Sequence, residues 1–329
     1  MPCRTFCRSA SLLGLVISLA GCGAHRSATR IAASPSHAPA YLVGRGPVVL
    51  WDSGHYNFGK VKNIEALRTW VSRDGYLVRP FGGQFDQSSL AEADIVVIRM
   101  ALAAVNDNRG LAQGEPSKWV LPTPSAFSPS EIDALARWVR TGGALLLITD
   151  HMPFGGAVAD LASAFGIEMS NSFAMDATAI TAELSESVET AGSFVFRRGD
   201  GSLRSHPVTD GRTGAERIDS VVTDAGASCA FRMPTDGKSL LTLTPSAVAL
   251  LPDVGWQFHE RTPRQSIGGW SQGGVVRFGR GRVAVFCDAY PIWSPELMDL
   301  TNEEDQKAVQ HPQFTLNVFH WLSGLLADH

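Results

Sequence analysis

Short apolar runs, each closed by a polar turn and followed by a helical period, set the rhythm of the first half of the chain. Val48–Trp51 is such a run and ends in Asp52-Ser53-Gly54-His55-Tyr56-Asn57-Phe58. Ile64, Leu67, Trp70 and Val71 then recur at helical spacing until Asp74-Gly75 stops them. Tyr76–Val78 and Ile95–Ile98 are the next two strands, with Gly82-Gly83 marking a loop between them. Ser128-Pro129-Ser130-Glu131 opens a helix: Ser as N-cap, Pro at the first helical position and Glu three residues after the cap. Ile132, Leu135, Ala136 and Val139 form its buried stripe, and Thr141-Gly142-Gly143 ends it. Ala144–Thr149 is an unbroken apolar run, which reads as a strand buried on both faces, and the pattern Ala157–Phe165 after it predicts a helix.

Alternation of strands and helices predicts an α/β fold, a parallel sheet with helices on both faces. The stretch Arg99–Phe127 interrupts it as a long irregular segment with three prolines, the length of a lid, a binding loop or an insertion. From about residue 167 to 280 strands follow one another without helices: Ser193–Arg197, Ile218–Thr223, Cys229–Met233, Leu240–Thr244, Ala247–Leu251 and Gly274–Phe278. This is a β-rich elaboration. Arg282–Phe286 returns to the composition of a buried strand and ends in Cys287-Asp288, and Phe314–Leu326 is a closing helix packed on the sheet.

Composition changes little in this picture. The chain of 329 residues is 44% hydrophobic and 18% charged, as ordinary globular proteins are. A formal net charge of −4 gives no basic face for nucleic acid. The first residues stand apart. Arg4 and Arg8 precede the apolar run Leu12–Ala20, too short for a stable membrane span. The run ends in Leu19-Ala20-Gly21-Cys22, which resembles the lipobox of bacterial lipoproteins. That resemblance implies a signal peptide over residues 1–21, a lipid on Cys22 and an anchor in the membrane. Gly23 in place of aspartate makes the outer membrane, facing the periplasm, the default location. Residues 22–46, rich in Ala, Ser, His and Pro, read as a flexible tether before a domain over 47–329. With Cys3 and Cys7 in the signal, Cys229 and Cys287 remain; the periplasm permits them to pair, and two buried thiols are the expectation.

The candidate chemistry lies where strands end, because open α/β sheets bind ligands beyond the carboxyl ends of their strands. Asp52, Asp150 and Asp288 each follow a strand, with His55, Asn57 and His151 close by. Any one aspartate there serves more often as a cap or turn former. Joint occurrence of carboxylate and imidazole at several strand ends points instead to a shared crevice, with Asp150 and His151 as its centre and Asp52, His55, Asn57 and Asp288 beside them. Such a set suits a small polar ligand. It also suits a hydrolase, with His151 as general base held by Asp150 or Asp288, or with a divalent metal activating water. No motif fixes a metal-ligand spacing. Arg99 and Ser170-Asn171-Ser172 are further candidates for lining the crevice, and Trp119, Trp256, Trp270 and Trp293 could stack on sugars or simply pack. His311, His320 and Trp321 read as packing residues.

The segments V-V-L-W-D-S-G-H-Y-N-F, A-L-L-L-I-T-D-H-M-P-F-G-G, S-H-P-V-T-D-G, V-R-F-G-R-G-R-V-A-V-F-C-D-A and F-T-L-N-V-F-H-W-L-S-G resemble an uncharacterised bacterial family. Its fold is that of the class I glutamine amidotransferases, in the style of trehalose-utilisation-type proteins and gliding-motility ABC-transporter accessory domains. The resemblance implies a flavodoxin-like fold and brings no settled reaction. Where true amidotransferases carry a nucleophilic cysteine, this chain has Asp150–Gly155, so glutamine hydrolysis is not expected. The remaining expectations are ligand binding, hydrolysis, or a non-catalytic role as accessory domain of an envelope complex.

Overall fold

Five strands run parallel at the centre of the molecule: β1 (Val48–Asp52), β2 (Leu77–Phe81), β3 (Ile95–Arg99), β4 (Ala144–Ile148) and, much later in the chain, β14 (Gly281–Phe286). Their order across the sheet is β2-β1-β3-β4-β14. This is the 2-1-3-4-5 order of flavodoxin-like sheets, which reverses direction between its first and third strands. The structure is a computed structural model and describes residues 38–59, 61–107, 118–181, 183–292, 295, 308 and 310–327. The signal segment, Cys22 and Trp293 lie outside these residues. Among the described residues no helix is long and apolar enough to cross a membrane.

The inner strands β1, β3, β4 and β14 are buried on both sides, as the apolar runs require, while the edge strand β2 leaves Arg79 and Pro80 exposed. Val49, Trp51, Ile95, Val97, Leu146 and Ile148 face one apolar layer with Leu67 and Val71 of helix α1 (Val61–Arg73) and with Phe314, Val318 and Phe319 of the closing helix His311–Leu322. Val96, Ile98, Leu145, Leu147, Val283 and Val285 face the other, with Leu135 and Val139 of α3 (Pro129–Arg140). The short α2 (Gln87–Leu90) lies between β2 and β3. The capping box expected at Ser128 is present, with Glu131 closing it.

Beyond β4 the expected single helix is two short ones, α4 (Phe154–Ala157) and α5 (Ala159–Ser163), broken at Val158. Close approach explains the glycines there. A side-chain carbon on Gly155 would lie 2.4 Å from the Ser170 carbonyl oxygen, and one on Gly156 would meet Asn171 and Thr123 at 2.7 Å.

The β-rich elaboration is observed, with different bounds. β13 (Ser271–Phe278) extends the main sheet antiparallel to β14, and β10 (Lys238–Thr242), β9 (Phe231–Arg232) and β5 (Glu168–Met169) add to it. β6 (Phe173–Asp176), β11 (Ala247–Leu250) and β12 (Arg264–Ser266) make a second sheet, and β7 (Ser193–Arg197) pairs β8 (Ser220–Asp224) in a third. Helices α6 (Leu184–Glu189) and α7 (Pro207–Asp210) interrupt the run of strands, against expectation, and β6 and β12 are strands the pattern did not mark. Upstream of Pro47, Ala40 and Tyr41 already bond to Asp74, and the Tyr41 ring meets Tyr76 edge-on.

The two thiols expected at Cys229 and Cys287 are instead joined in a disulfide across 58 residues of chain. The Cys229 N–H donates to the Cys287 carbonyl, so the backbones already abut where the sulfurs meet. Reduction should lower the unfolding free energy by roughly 4 kcal/mol, as expected for release of a loop of this length. Urea unfolding with and without reductant checks this, and a midpoint unmoved by reduction would contradict it.

Candidate functional site

The strand-end residues do not form one constellation. They separate into a hydrogen-bonded knot beside β1, a buried acidic group at the ends of β3, β4 and β14, and a histidine enclosed by aromatic rings.

The knot is built on Asp52. Its Oδ1 accepts from the Gly54 N–H (3.1 Å) and pairs with His55 Nδ1 (2.8 Å), while its Oδ2 accepts from Asn57 Nδ2 (2.9 Å). Asn57 also donates to the Arg99 carbonyl, tying β1 to β3. His55 Nε2 meets Glu131 Oε1 at 2.9 Å, and the ring lies stacked on Phe85 and tilted against Phe127. Glu131 was legible as a helix cap. Its second partner, 76 residues away, was not. The Glu131 carboxylate also accepts from the Phe85 N–H and from Ser128 N and Oγ. Burial alone would lower the His55 pKa. The hydrogen bonds and charges of Asp52 and Glu131 more than offset this and raise it. Burial would raise Glu131, but Ser128, His55 and the Phe85 N–H hold it below its ordinary value. Both nitrogens of the His55 ring are engaged, and Asp52, His55 and Asn57 bind each other.

At the neighbouring strand ends charge is poorly balanced. Asp150, two residues after β4, has its pKa raised to about 8, first by burial and then by the nearby Asp224 charge; the His151 N–H and Arg99 oppose the shift. Asp288, two residues after β14 and almost wholly buried, is raised well above the ordinary value by burial, then by Asp224 and Asp150. Asp288 accepts from the Asp224 and Tyr290 backbone N–H groups. Arg99, at the end of β3, feels the opposite pull: burial lowers it, and Asp150 and Asp288 sustain its charge. Its Nη1 donates to the Phe58 carbonyl. Asp150 and Asp288, beside one guanidinium and facing the Asp224 charge, cannot both ionise cheaply there, so protonation is favoured at these two. Asp224, at the end of β8, was not marked by the sequence pattern.

His151 points elsewhere. Its Nδ1 bonds to the Met152 carbonyl oxygen, which fixes the proton on Nδ1 and leaves Nε2 as a bare acceptor. Phe173 stacks on the ring at 5.0 Å, Trp256 meets it edge-on at 4.7 Å, and Trp119 and Phe154 complete the enclosure. Burial lowers its pKa to about 4, so the ring is neutral at physiological pH. No carboxylate among the described residues bonds to this ring, so neither Asp150 nor Asp288 holds His151 in the way expected of a general base. Nor does any group of three or more His, Cys, Asp or Glu among the described residues have the arrangement a metal ion needs.

Two further polar atoms at this end are buried without a partner, Thr149 Oγ1, next to Asp150, and Trp119 Nε1, beside His151. Asn171 holds the surrounding loops in place by accepting from the Gly156 N–H and donating to Thr123. Ser170 and Ser172 bond each other, and Ser170 also accepts from the Ala230 N–H, so they serve as structure. Trp270 packs under the Arg232 guanidinium. His320 pairs with Asp74 and His311 accepts from the Val222 N–H, both buried as expected.

No protein-family model matches the chain, and no curated protein does. Among solved structures, the N-terminal domain of mmIFT52 aligns at a TM-score of 0.51 and 10% identity, covering 84% of this chain and 97% of that one. A cytoplasmic protein of Salmonella typhimurium LT2 aligns at 0.47 and 14% identity, over 84% of this chain and 98% of its own. A putative ThuA-like protein of Bacteroides uniformis aligns at 0.40 and 11%, over 86% and 94%. At such identities the likeness is one of fold: an α/β domain with a large, mostly parallel central sheet.

Proposed function

We propose that the elbow after β4 is the centre of a binding site for a small uncharged polar ligand of carbohydrate type, on a lipid-anchored domain facing the periplasm. The observation that carries this reading is His151. It is held neutral among aromatic rings with Nε2 left as an acceptor. Next to it in the chain are Asp150, whose carboxyl group keeps its proton at neutral pH, and Thr149 with its unpartnered hydroxyl, and the Trp119 ring, its N–H also unpartnered, lies beside the imidazole. Neutral donors and acceptors beside aromatic faces match hydroxyl groups and the apolar faces of a sugar ring. The disulfide suits an oxidising compartment, in keeping with the lipobox at Cys22. With both sulfurs bonded, neither Cys229 nor Cys287 offers a thiolate for glutamine hydrolysis.

Titration calorimetry with neutral, acidic and amino oligosaccharides tests the reading. Binding of a neutral sugar, weakened at least about tenfold by His151→Ala or Trp256→Ala in proteins of unchanged thermal midpoint, is the expected outcome. A panel in which no neutral sugar binds the parent protein rejects it.

One observation favours a second reading. A carboxyl group protonated near neutral pH is what a general acid requires, so Asp150 would protonate a leaving group in a hydrolase. Release of nitrophenol from aryl glycosides, abolished in Asp150→Asn, would select this reading. Sugar binding without turnover would select the first.

A further inference from the structure

Far from the elbow, at the edge of the sheet, the chain enters the fold through a tight turn that exposes two large aliphatic side chains. The Arg45 N–H donates to the Leu42 carbonyl, and Gly44 takes a positive φ of 76° to close the turn. Leu42 is 74% and Val43 82% exposed, and with Val61 they are the three most exposed large hydrophobic residues described. Backbone bonds from Tyr41 and Gly46 to Asp74 and Gly75 hold the base of the turn rigidly against the end of α1. The tip is therefore presented outward by a fixed frame.

Val43 also borders an open groove of about 450 Å³ lined by Glu65, Arg68, Thr69, Ser72 and Arg73 of α1 and by Val78. The exposed Val61, 74% accessible, begins the same helix. Around these apolar tips the charge is mainly positive: Arg45, Lys62, Arg68 and Arg73 against Glu65, which pairs with Arg68 at 2.6 Å. An aliphatic tip ringed by basic side chains is the composition of surfaces that rest on anionic lipid headgroups, where the apolar groups enter the acyl boundary and the cations stay at the phosphates. Position on the chain agrees. Leu42 lies only twenty residues after Cys22, so the turn is within about 70 Å of contour from that cysteine. A lipid on Cys22 would keep the turn at high effective concentration over the bilayer.

We propose that the Leu42–Arg45 turn and the outward stripe of α1 form a membrane-docking face that seats the domain on an anionic phospholipid surface. The proposal draws on the lipid-anchor reading of Cys22 for its source of proximity, and not on the ligand reading of the elbow. Docking this way turns the helix α1 edge to the membrane and fixes which residues the bilayer covers.

Hydrogen exchange on the full chain, reconstituted on vesicles of phosphatidylglycerol and phosphatidylethanolamine and on vesicles of phosphatidylcholine alone, tests it. The expected result is slowing of at least about fivefold at residues 41–46 and along α1 on the anionic vesicles only, reversed by high salt. Leu42→Ser with Val43→Ser should abolish the slowing while leaving the thermal midpoint unchanged, since both side chains are exposed. Equal exchange on both vesicle types overturns the proposal. So does protection that grows with protein density on the vesicle and not with lipid charge, which would mean a second copy or a protein partner covers the face. Cys22→Ala separates the two readings. Salt-sensitive protection that survives in this variant leaves docking standing without the anchor; a parent that stays on the vesicles with no protection at 41–46 leaves the anchor standing and removes docking.

Discussion

Glu131→Ala should lower the unfolding free energy by about 3–5 kcal/mol, the usual cost of removing one member of a buried, hydrogen-bonded ion pair. The substitution strips His55 Nε2 of its partner and leaves the Phe85 and Ser128 N–H groups without their acceptor. It also removes the capping box of α3, a further cost of about 1 kcal/mol within that range. Glu131→Gln keeps acceptors and loses the charge, so it should cost less and reveal the electrostatic part through pH. The His55 pKa is raised from 6.5 in the folded state, so its contribution is fully present below pH 6.5 and is lost as pH rises through the raised value. The Glu131 pKa is lowered from 4.5, so its contribution is present above pH 4.5 and is lost as pH falls through the lowered value. The stability difference between parent and Glu131→Gln should therefore be largest between about pH 4.5 and 6.5 and shrink on both sides. Urea unfolding across that range measures it. A small difference, flat with pH, would show that His55 is not charged in the knot.

The sequence made the central sheet legible because the runs Val48–Trp51, Ile95–Ile98 and Ala144–Thr149 are buried on both faces, a pattern that only covered parallel strands need. The start of α3 was equally plain, since Ser128, Pro129 and Glu131 bond within one turn. What stayed hidden depends on contacts between distant segments. Glu131 shows its local bond to Ser128 in the spacing, but not its bond to His55 across 76 residues. Asp224 joins Asp150 and Asp288 only because the elaboration brings the end of β8 beside the central strands, and the Asp288 carboxylate accepts its backbone N–H. The same folding-back brings Cys229 to Cys287. The break at Val158 was hidden because Gly155 and Gly156 read as helix entry, whereas they are there for the close approach of Ser170, Asn171 and Thr123. The division of the strand-end aspartates and histidines into a hydrogen-bonded knot and an unbalanced acidic group was thus beyond any local signal.

That division has an energetic signature of opposite sign. Asp150→Asn should stabilise the protein at neutral and alkaline pH, where Glu131→Ala destabilises it. The Asp150 pKa is about 8 in the fold against 3.8 for a free carboxyl group, so folding resists ionisation of this side chain. A group raised in this way contributes its full stability only below its unfolded value and loses it as pH rises through the folded one. Parent and variant should match near pH 3.8, then diverge by at most about 1.4 kcal/mol per pH unit, the gap widening until the pH reaches the raised folded value of about 8. Asparagine retains an oxygen to accept the His151 N–H, so the local turn is preserved. His151, lowered to about 4, makes both proteins less stable as pH falls below 6.5, and that effect cancels in the difference. Thermal or urea unfolding of both proteins from about pH 4 to pH 9 gives the curve, and a variant no more stable than the parent at pH 8 would mean that Asp150 is ionised and well paired. If Asp150→Asn gains stability and also loses the neutral-sugar binding proposed for the elbow, the carboxyl group is kept at a cost to the fold. Residues retained on those terms are the ones that act on a ligand, and this pairing of effects separates the acidic group at β4 from the His55 knot, whose loss should weaken the fold first.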